Sequence, residues 1–296
     1  GKTERVTNQN DHDEFYPRYS NDGKSIVYTT WNDQTLGTVK VVSTSGGEGR
    51  TITKTPGHFI EPSFSTDGKL VAYRKFTGGF LLNPKYSNEP GIYVANLATG
   101  EHKRVAPGGT EPHFAGDNSR VYFTTGVPGT DYPEQQLVSV NLNGEERQEH
   151  LYGADQVAEF RLSPDKKWVA FTYQFNAFVM PFTDTGKRET IGPMATTLPV
   201  KKISSRAGEF LNWSSDRKSV SWYNGPIFYE RSLKDAFNFV EGAPEKLPLP
   251  VSEGINLSFA QKADKKAEKW IDKTLKSLTL REKIGQMINF RMSGEF

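Results

Sequence analysis

An all-β fold, a β-propeller of four-stranded blades, is predicted by three features of this 296-residue sequence. A ten-residue phrase recurs five times, its copies lie about one blade length apart, and the composition favours strands and turns. The chain holds 27 Gly and 17 Pro, and 12% of its residues are aromatic, which suits many short strands joined by tight turns.

The phrase first reads Tyr19-Ser20-Asn21-Asp22-Gly23-Lys24-Ser25-Ile26-Val27-Tyr28, then Phe64-Ser65-Thr66-Asp67-Gly68-Lys69-Leu70-Val71-Ala72-Tyr73. Phe114 to Phe123, Leu162 to Phe171 and Trp213 to Trp222 carry the other three copies, the last two more worn. The marker aspartates Asp22, Asp67, Asp117, Asp165 and Asp216 are separated by 45, 50, 48 and 51 residues, the period of one four-stranded blade. Asp accepts hydrogen bonds from the backbone beside it and Gly supplies positive φ, so each phrase specifies a tight hairpin between the first and second strands of a repeat. In the second strand, alternating residues such as Ile26 and Tyr28, or Val71 and Tyr73, present large side chains to a neighbouring blade.

Third and fourth strands follow. In one repeat they are Ile92 to Leu97 and His102 to Val105 around the turn Ala98-Thr99-Gly100-Glu101. Val39 to Val42 with Arg50 to Thr53, and Leu137 to Val140 before Asn143-Gly144-Glu145-Glu146, are their counterparts. Five to six blades are visible on this reading. The segment Gly1 to Thr7 reads like a turn and fourth strand, while the fifth repeat lacks an obvious fourth strand after Glu230. Either the first strand completes the last blade or upstream blades are missing; the expectation is an incomplete ring.

The phrase resembles the TolB-like propeller repeat, a relative of the WD-type blade, over about residues 1–235. The resemblance implies a binding platform, a lid over a hydrolase site or a partner-docking disc, because propellers of this kind serve all three roles. Residues 225–259, from Gly225-Pro226-Ile227-Phe228-Tyr229-Glu230-Arg231 to Gly254-Ile255-Asn256-Leu257-Ser258-Phe259, resemble the exit segment of propellers that precede bacterial amidohydrolase barrels. In that family the metal ligands begin with a His-x-His strand on the barrel, so no cofactor is expected in this chain, and a divalent metal would belong to that barrel.

Two domains are expected, the propeller over residues 1–259 and a helical segment over 260–296. The second carries nine basic and five acidic side chains, a net +4. Ala267, Trp270, Ile271 and Leu275 recur at helical spacing, and Thr279-Leu280-Arg281-Glu282 forms a capping box for a second helix, so a short α-helical tail is predicted. The stretch from Trp270 to Met287 is similar to the segment leading into the barrel of glycoside hydrolase family 3, whose catalytic aspartate lies far downstream.

A formal charge of +2 with scattered Lys and Arg gives no footprint for nucleic acid. There is no cysteine, which removes disulfides, zinc ribbons and thiol nucleophiles. No apolar run is long enough to span a bilayer, and Gly1 to Arg5 lack a signal peptide's apolar stretch.

No catalytic residue is assigned. His12, His58, His102, His113 and His150 show no metal-ligand spacing and are expected at the surface or in loops. Ser163-Pro164-Asp165 is not a nucleophile elbow. Trp31, Trp168, Trp213 and Trp222, at alternating strand positions, are expected in the core between blades rather than in a sugar-stacking platform.

Glu61, Glu111 and Glu159 each lie six residues before their marker aspartate, where an innermost strand begins near one mouth of the central channel. Glu209 and Glu14 fall one or two residues off that register. Converging carboxylates attract a cation, so Glu61, Glu111, Glu159 and Glu209 are the candidate ligand-binding residues, for an amine or a basic partner segment. The sequence therefore predicts a non-catalytic propeller of a periplasmic or secreted bacterial hydrolase, of amidohydrolase type, with a downstream catalytic domain or a protein as its partner. The alternatives are a propeller attached to a family 3 glycoside hydrolase and a free-standing interaction disc.

Overall fold

The computed structural model describes residues 5–76, 89–129, 134–257 and 273. Contacts divide the chain into residues 1–256 and 257–296. The helical tail expected over 260–296 lies outside the described residues, apart from the helical Lys273.

The first unit is all-β, with five blades. Blade 1 comprises β1 (Asp13–Tyr19), β2 (Ser25–Trp31), β3 (Val39–Ser43) and β4 (Arg50–Thr51). Blade 2 comprises β5 (Phe59–Phe64), β6 (Leu70–Lys75), β7 (Gly91–Asn96) and β8 (His102–Ala106). Blade 3 comprises β9 (Thr110–Phe114), β10 (Arg120–Gly126), β11 (Gln135–Asn141) and β12 (Gln148–Gly153). In blade 4, β13 (Val157–Leu162), β14 (Trp168–Tyr173) and β15 (Asn176–Pro181) are followed by β16 (Glu189–Ile191) and β17 (Lys201–Ala207). Blade 5 comprises β18 (Glu209–Trp213), β19 (Ser219–Asn224), β20 (Ile227–Ser232) and β21 (Ile255–Asn256). Each blade is an antiparallel meander whose first and second strands are joined by the recurring Asp turn.

Two departures from a regular meander are tertiary in origin. In blade 4, β17 rather than β16 takes the fourth place; β16 crosses over and pairs in parallel with β12 of blade 3, Leu151 opposite Glu189 and Gly153 opposite Ile191. In blade 5, the missing fourth strand is supplied from within the exit segment, where Ile255 and Asn256 pair with Phe228 and Ile227. The segment before β1 does not complete blade 5: Thr7 bridges Gly47 beside blade 1. An unpaired edge at β20 leaves backbone groups without partners, and the nearer segment in sequence closes it at a lower loop entropy.

The core lies between successive blades. Phe59, Phe64, Val71 and Tyr73 of blade 2 meet Val27 and Val39 of blade 1. Phe114, Val121 and Phe123 of blade 3 meet Ile92, Val94 and Val105, and Phe160, Leu162 and Phe171 of blade 4 meet Tyr122 and Leu137. Leu211 and Trp222 of blade 5 meet Val179 and Ile203, with Phe237 sealing the edge. Burying each such side chain contributes roughly 1.5–3 kcal/mol, so the alternating pattern of the second strand is what holds blade to blade. Among the described residues no helix is long and apolar enough to cross a membrane.

Candidate functional site

Every innermost strand is broken by a bulge at the same repeat position. Tyr16, Glu61, Glu111, Glu159 and Phe210, each six residues before a marker aspartate, have φ of 52°, 55°, 52°, 48° and 58°, and each strand's pairing register shifts there. These are left-handed conformations that non-glycine residues adopt rarely, so five in register mark a feature of the fold. The bulges lie where the inner strands begin.

The structure brings Glu61, Glu111 and Glu159 together and supplies partners the sequence did not announce. Glu61 Oε1 pairs with Arg74 Nη1 at 3.0 Å, while its Oε2 accepts the backbone N–H of Glu111 at 2.7 Å. Glu111 Oε2 pairs with Arg161 and stands 3.6 Å from Arg18 Nη2. Glu159 Oε1 accepts the N–H of Leu211 at 2.5 Å. Arg18 in turn donates to Leu211 O at 3.4 Å, so one guanidinium from blade 1 reaches groups of blades 3 and 5.

Burial dominates the electrostatics of this cluster. It pushes the Glu159 carboxyl up to about 7, helped by the negative charge of Glu111 and opposed by Arg161. Glu61 is raised by burial first and by Glu111 second. Burial and then the charge of Arg161 disfavour the charged form of Arg18, and Glu111 and Glu159 support it. Three carboxyl groups and three guanidiniums thus face one another, and the ion pairs of Glu61 with Arg74 and of Glu111 with Arg161 compensate most of the charge at the mouth.

Glu209 is exposed, one residue before the bulge, whose place in blade 5 is taken by Phe210. Glu14 has partners outside this cluster: its Oε2 accepts Thr7 Oγ1 at 2.8 Å and its Oε1 faces His12 Nε2 at 3.8 Å. Large apolar groups surround the mouth instead. Phe15, Tyr16, Phe175 and Phe210 are 45%, 36%, 72% and 46% exposed. Phe175 occupies the hairpin turn between β14 and β15, and its carbonyl accepts the N–H of Gly208 at 2.7 Å, which places it beside the start of β18.

The marker aspartates lie on the opposite face, where they organise turns. Asp22 accepts Ser20 Oγ at 2.6 Å and Lys24 N at 3.1 Å. Asp67, Asp165 and Asp216 repeat the arrangement with Ser65, Ser163 and Ser214, and Asp117 uses Ser119. Hydrogen bonding from the serine hydroxyl is the main cause that lowers Asp22, Asp67, Asp117 and Asp216. Ser163 is thereby a turn residue.

The histidines are not surface groups as a class. His113 is 2% exposed, with Nδ1 at 2.9 Å from Glu111 O and Nε2 accepting the Leu162 N–H at 3.1 Å across the blade 3–blade 4 junction. His150 is 5% exposed and contacts Ser139 Oγ through Nε2 at 2.7 Å; its Nδ1 is 3.7 Å from Asp184 Oδ1. Ser, His and Asp are therefore juxtaposed, but Ser139 is fully buried and its Oγ also accepts Arg120 Nε at 2.8 Å. No substrate reaches it, and the trio ties blade 3 to the excursion of blade 4. Periodicity could not reveal either histidine, because each pairs with residues of another blade.

Trp213 and Trp222 are core residues; Trp213 Nε1 donates to Arg161 O at 3.0 Å and Trp222 stacks on Tyr229 at 5.8 Å. Trp31 and Trp168 are only partly buried, Trp168 lying 5.0 Å from Phe237 and 6.2 Å from Phe239, ring centre to ring centre. Among the described residues no group of three or more His, Cys, Asp or Glu is placed to hold a metal ion.

These features have relatives. A 100-residue stretch is 36% identical to the Tol-Pal system protein TolB of Francisella tularensis subsp. holarctica, spanning 34% of this chain and 21% of that protein. The corresponding protein of subsp. mediasiatica is 35% identical over the same length and shares. The matched stretch is thus about a fifth of the length of these relatives. The crystal structure of TolB from Acinetobacter baumannii has the same fold, with a TM-score of 0.55 at 20% identity over 75% of this chain and 52% of that one. Residues 1–193 match the family described as the TolB beta propeller domain, and with its five Asp-turn blades and bulged inner strands the chain belongs to that family.

Proposed function

We propose that this propeller is a non-catalytic binding module of the bacterial periplasm or of a secreted protein, and that it docks a polypeptide segment at the mouth where the inner strands begin. The observation that carries the reading is the exposure of Phe15, Tyr16, Phe175 and Phe210 around a cluster of compensated charges. Exposed aromatics beside satisfied polar groups are what a protein-binding surface presents, since the rings bury large area at small entropy cost. The Tol-Pal name of the relatives supports this reading.

Photo-cross-linking in cells from a photoreactive phenylalanine at position 210 tests it. A discrete adduct that is lost in Tyr16→Ser/Phe175→Ser supports docking at the mouth. No adduct beyond that obtained from position 24, on the opposite face, overturns it.

A second reading places the module beside a hydrolase barrel of amidohydrolase type, shielding its active site or binding its substrate. It is favoured by the exit segment, in which Ile255 and Asn256 complete blade 5 before the chain leaves the propeller unit. One continuous read of the gene across the junction near residue 260 decides it. A downstream His-x-His strand supports this reading, a family 3 barrel replaces it with a glycosidase, and a stop codon after residue 296 removes it in favour of a free-standing disc.

A further inference from the structure

Not every charge at the mouth has a counterpart of its own. Glu61 is taken by Arg74 and Glu111 by Arg161, which leaves Arg18 to the weaker support of Glu111 and Glu159. Arg18 Nη2 stands 3.6 Å from Glu111 Oε2, an oxygen that Arg161 already holds. Among the described residues its guanidinium makes a single hydrogen bond, to Leu211 O at 3.4 Å. Both distances exceed the roughly 2.7–3.2 Å of an ordinary N–H···O bond. Arg161 adds to the surplus of donors, because its Nε is buried without a hydrogen-bond partner.

Glu159 offsets Arg18 only when it is ionised. Burial first, and then the charge of Glu111, push its carboxyl up to about 7, and its Oε1 is committed to Leu211 N. Below that pH the mouth holds surplus positive charge and unused donors, where desolvation makes an unmet donor costly. An incoming carboxylate supplies both acceptor and counter-charge, whereas an ammonium meets Arg18 and Arg161 as like charges. The rings extend the argument. Phe15 and Tyr16 lie on the strand of Arg18, and Phe210 precedes Leu211, whose carbonyl Arg18 reaches. Exposed apolar surface therefore lies at both ends of the Arg18 side chain, on its own strand and on the strand it contacts.

We propose that the segment docking at the mouth carries an Asp or Glu between two apolar side chains, and that Arg18 receives its carboxylate. The inference rests on docking at the mouth and specifies the chemistry of what docks. Arg18 is within reach of solvent, its side chain being 16% exposed.

The test is calorimetric titration of the whole chain with blocked tripeptides, N-acetyl-Phe-Glu-Phe-amide against its Gln and Lys counterparts. At pH 6 the Glu peptide is expected to bind about tenfold more tightly than the Gln peptide, and the Lys peptide more weakly than both. At pH 8 the ionised Glu159 competes for Arg18, and the preference narrows to about threefold. Glu159→Gln should restore the full preference at pH 8, and this arm decides even where Arg18→Gln does not fold. Arg18→Gln with an unchanged melting temperature should lose the preference at both pH values. Equal affinity for the Glu and Gln peptides, or a Glu preference that survives in folded Arg18→Gln, overturns the proposal. So does tighter binding of N-acetyl-Phe-Gln-Phe with a free terminal carboxylate, which would assign a chain end instead, and so does binding of none of the peptides. The cross-link from position 210 decides docking separately, so an adduct without a Glu preference sinks the carboxylate alone.

Discussion

The Glu61 carboxylate accepts the backbone N–H of Glu111, one blade further on, at 2.7 Å, while its second oxygen holds Arg74 at 3.0 Å. Glu159 does the same for Leu211 of the following blade. Glu61 and Glu159 are thus inter-blade staples, each satisfying a backbone donor at a neighbouring strand's bulge, while Glu111 reaches the next blade through Arg161.

Removing such a staple leaves a donor and a guanidinium without partners. Glu61→Ala is expected to destabilise the protein by about 2 kcal/mol in urea unfolding, and Glu61→Gln by less, because an amide oxygen still accepts from Glu111 N.

Glu159 makes stability depend on pH in a distinctive direction. Its folded value is about 7 against an ordinary 4.5, so the unfolded chain ionises first and stability falls as pH rises from about 4.5 to 7. The loss is about 3 kcal/mol at most, at 1.36 kcal/mol per pH unit of separation. Glu159→Gln keeps an acceptor for Leu211 N and removes the ionisation. Its stability relative to the parent should therefore climb across that window, and a flat difference would exclude an elevated Glu159.

His150 acts with the opposite sign. Burial lowers it to about 4 from 6.5, so its contribution is complete above pH 6.5 and is lost as pH falls towards 4. The cost is about 3 kcal/mol at the acid end. Because His150 and Lys166 both face Asp184, hydrogen exchange of β16 should accelerate over the same range. His150→Gln should abolish the acid-side dependence.

Arg231 organises the exit from blade 5, donating to Leu249 O at 2.5 Å, Asp235 O at 2.6 Å and Pro248 O at 2.8 Å. Arg231→Leu leaves three carbonyls to find other partners, at a cost of about 2–3 kcal/mol by chemical denaturation. Arg231→Lys should recover less than half, since a single ammonium cannot reproduce the planar fork.

The blades were legible because their signals are local. A Ser, an Asp and a residue of positive φ close each turn within five residues, and strand alternation follows directly. Where the phrase is worn, Asn118, Lys166 and Arg217 take the left-handed position that Gly23 and Gly68 hold elsewhere, at φ of 65°, 60° and 65°. The turn survives without its glycine because Asp and its hydroxyl partner hold the backbone. The −6 register of Glu61, Glu111 and Glu159 was equally readable, as a spacing.

By itself, then, the sequence determined the period, the turn chemistry, the blade core and the register that sends three glutamates to one mouth. Only the tertiary structure decided what those glutamates meet. Arg18 lies 93 residues before the Glu111 it approaches and Arg161 lies 50 after, and β16 leaves its own blade to join β12. Such pairings form once folding has brought distant segments together, and their free energy depends on burial and on the other charges present. No local pattern encodes either.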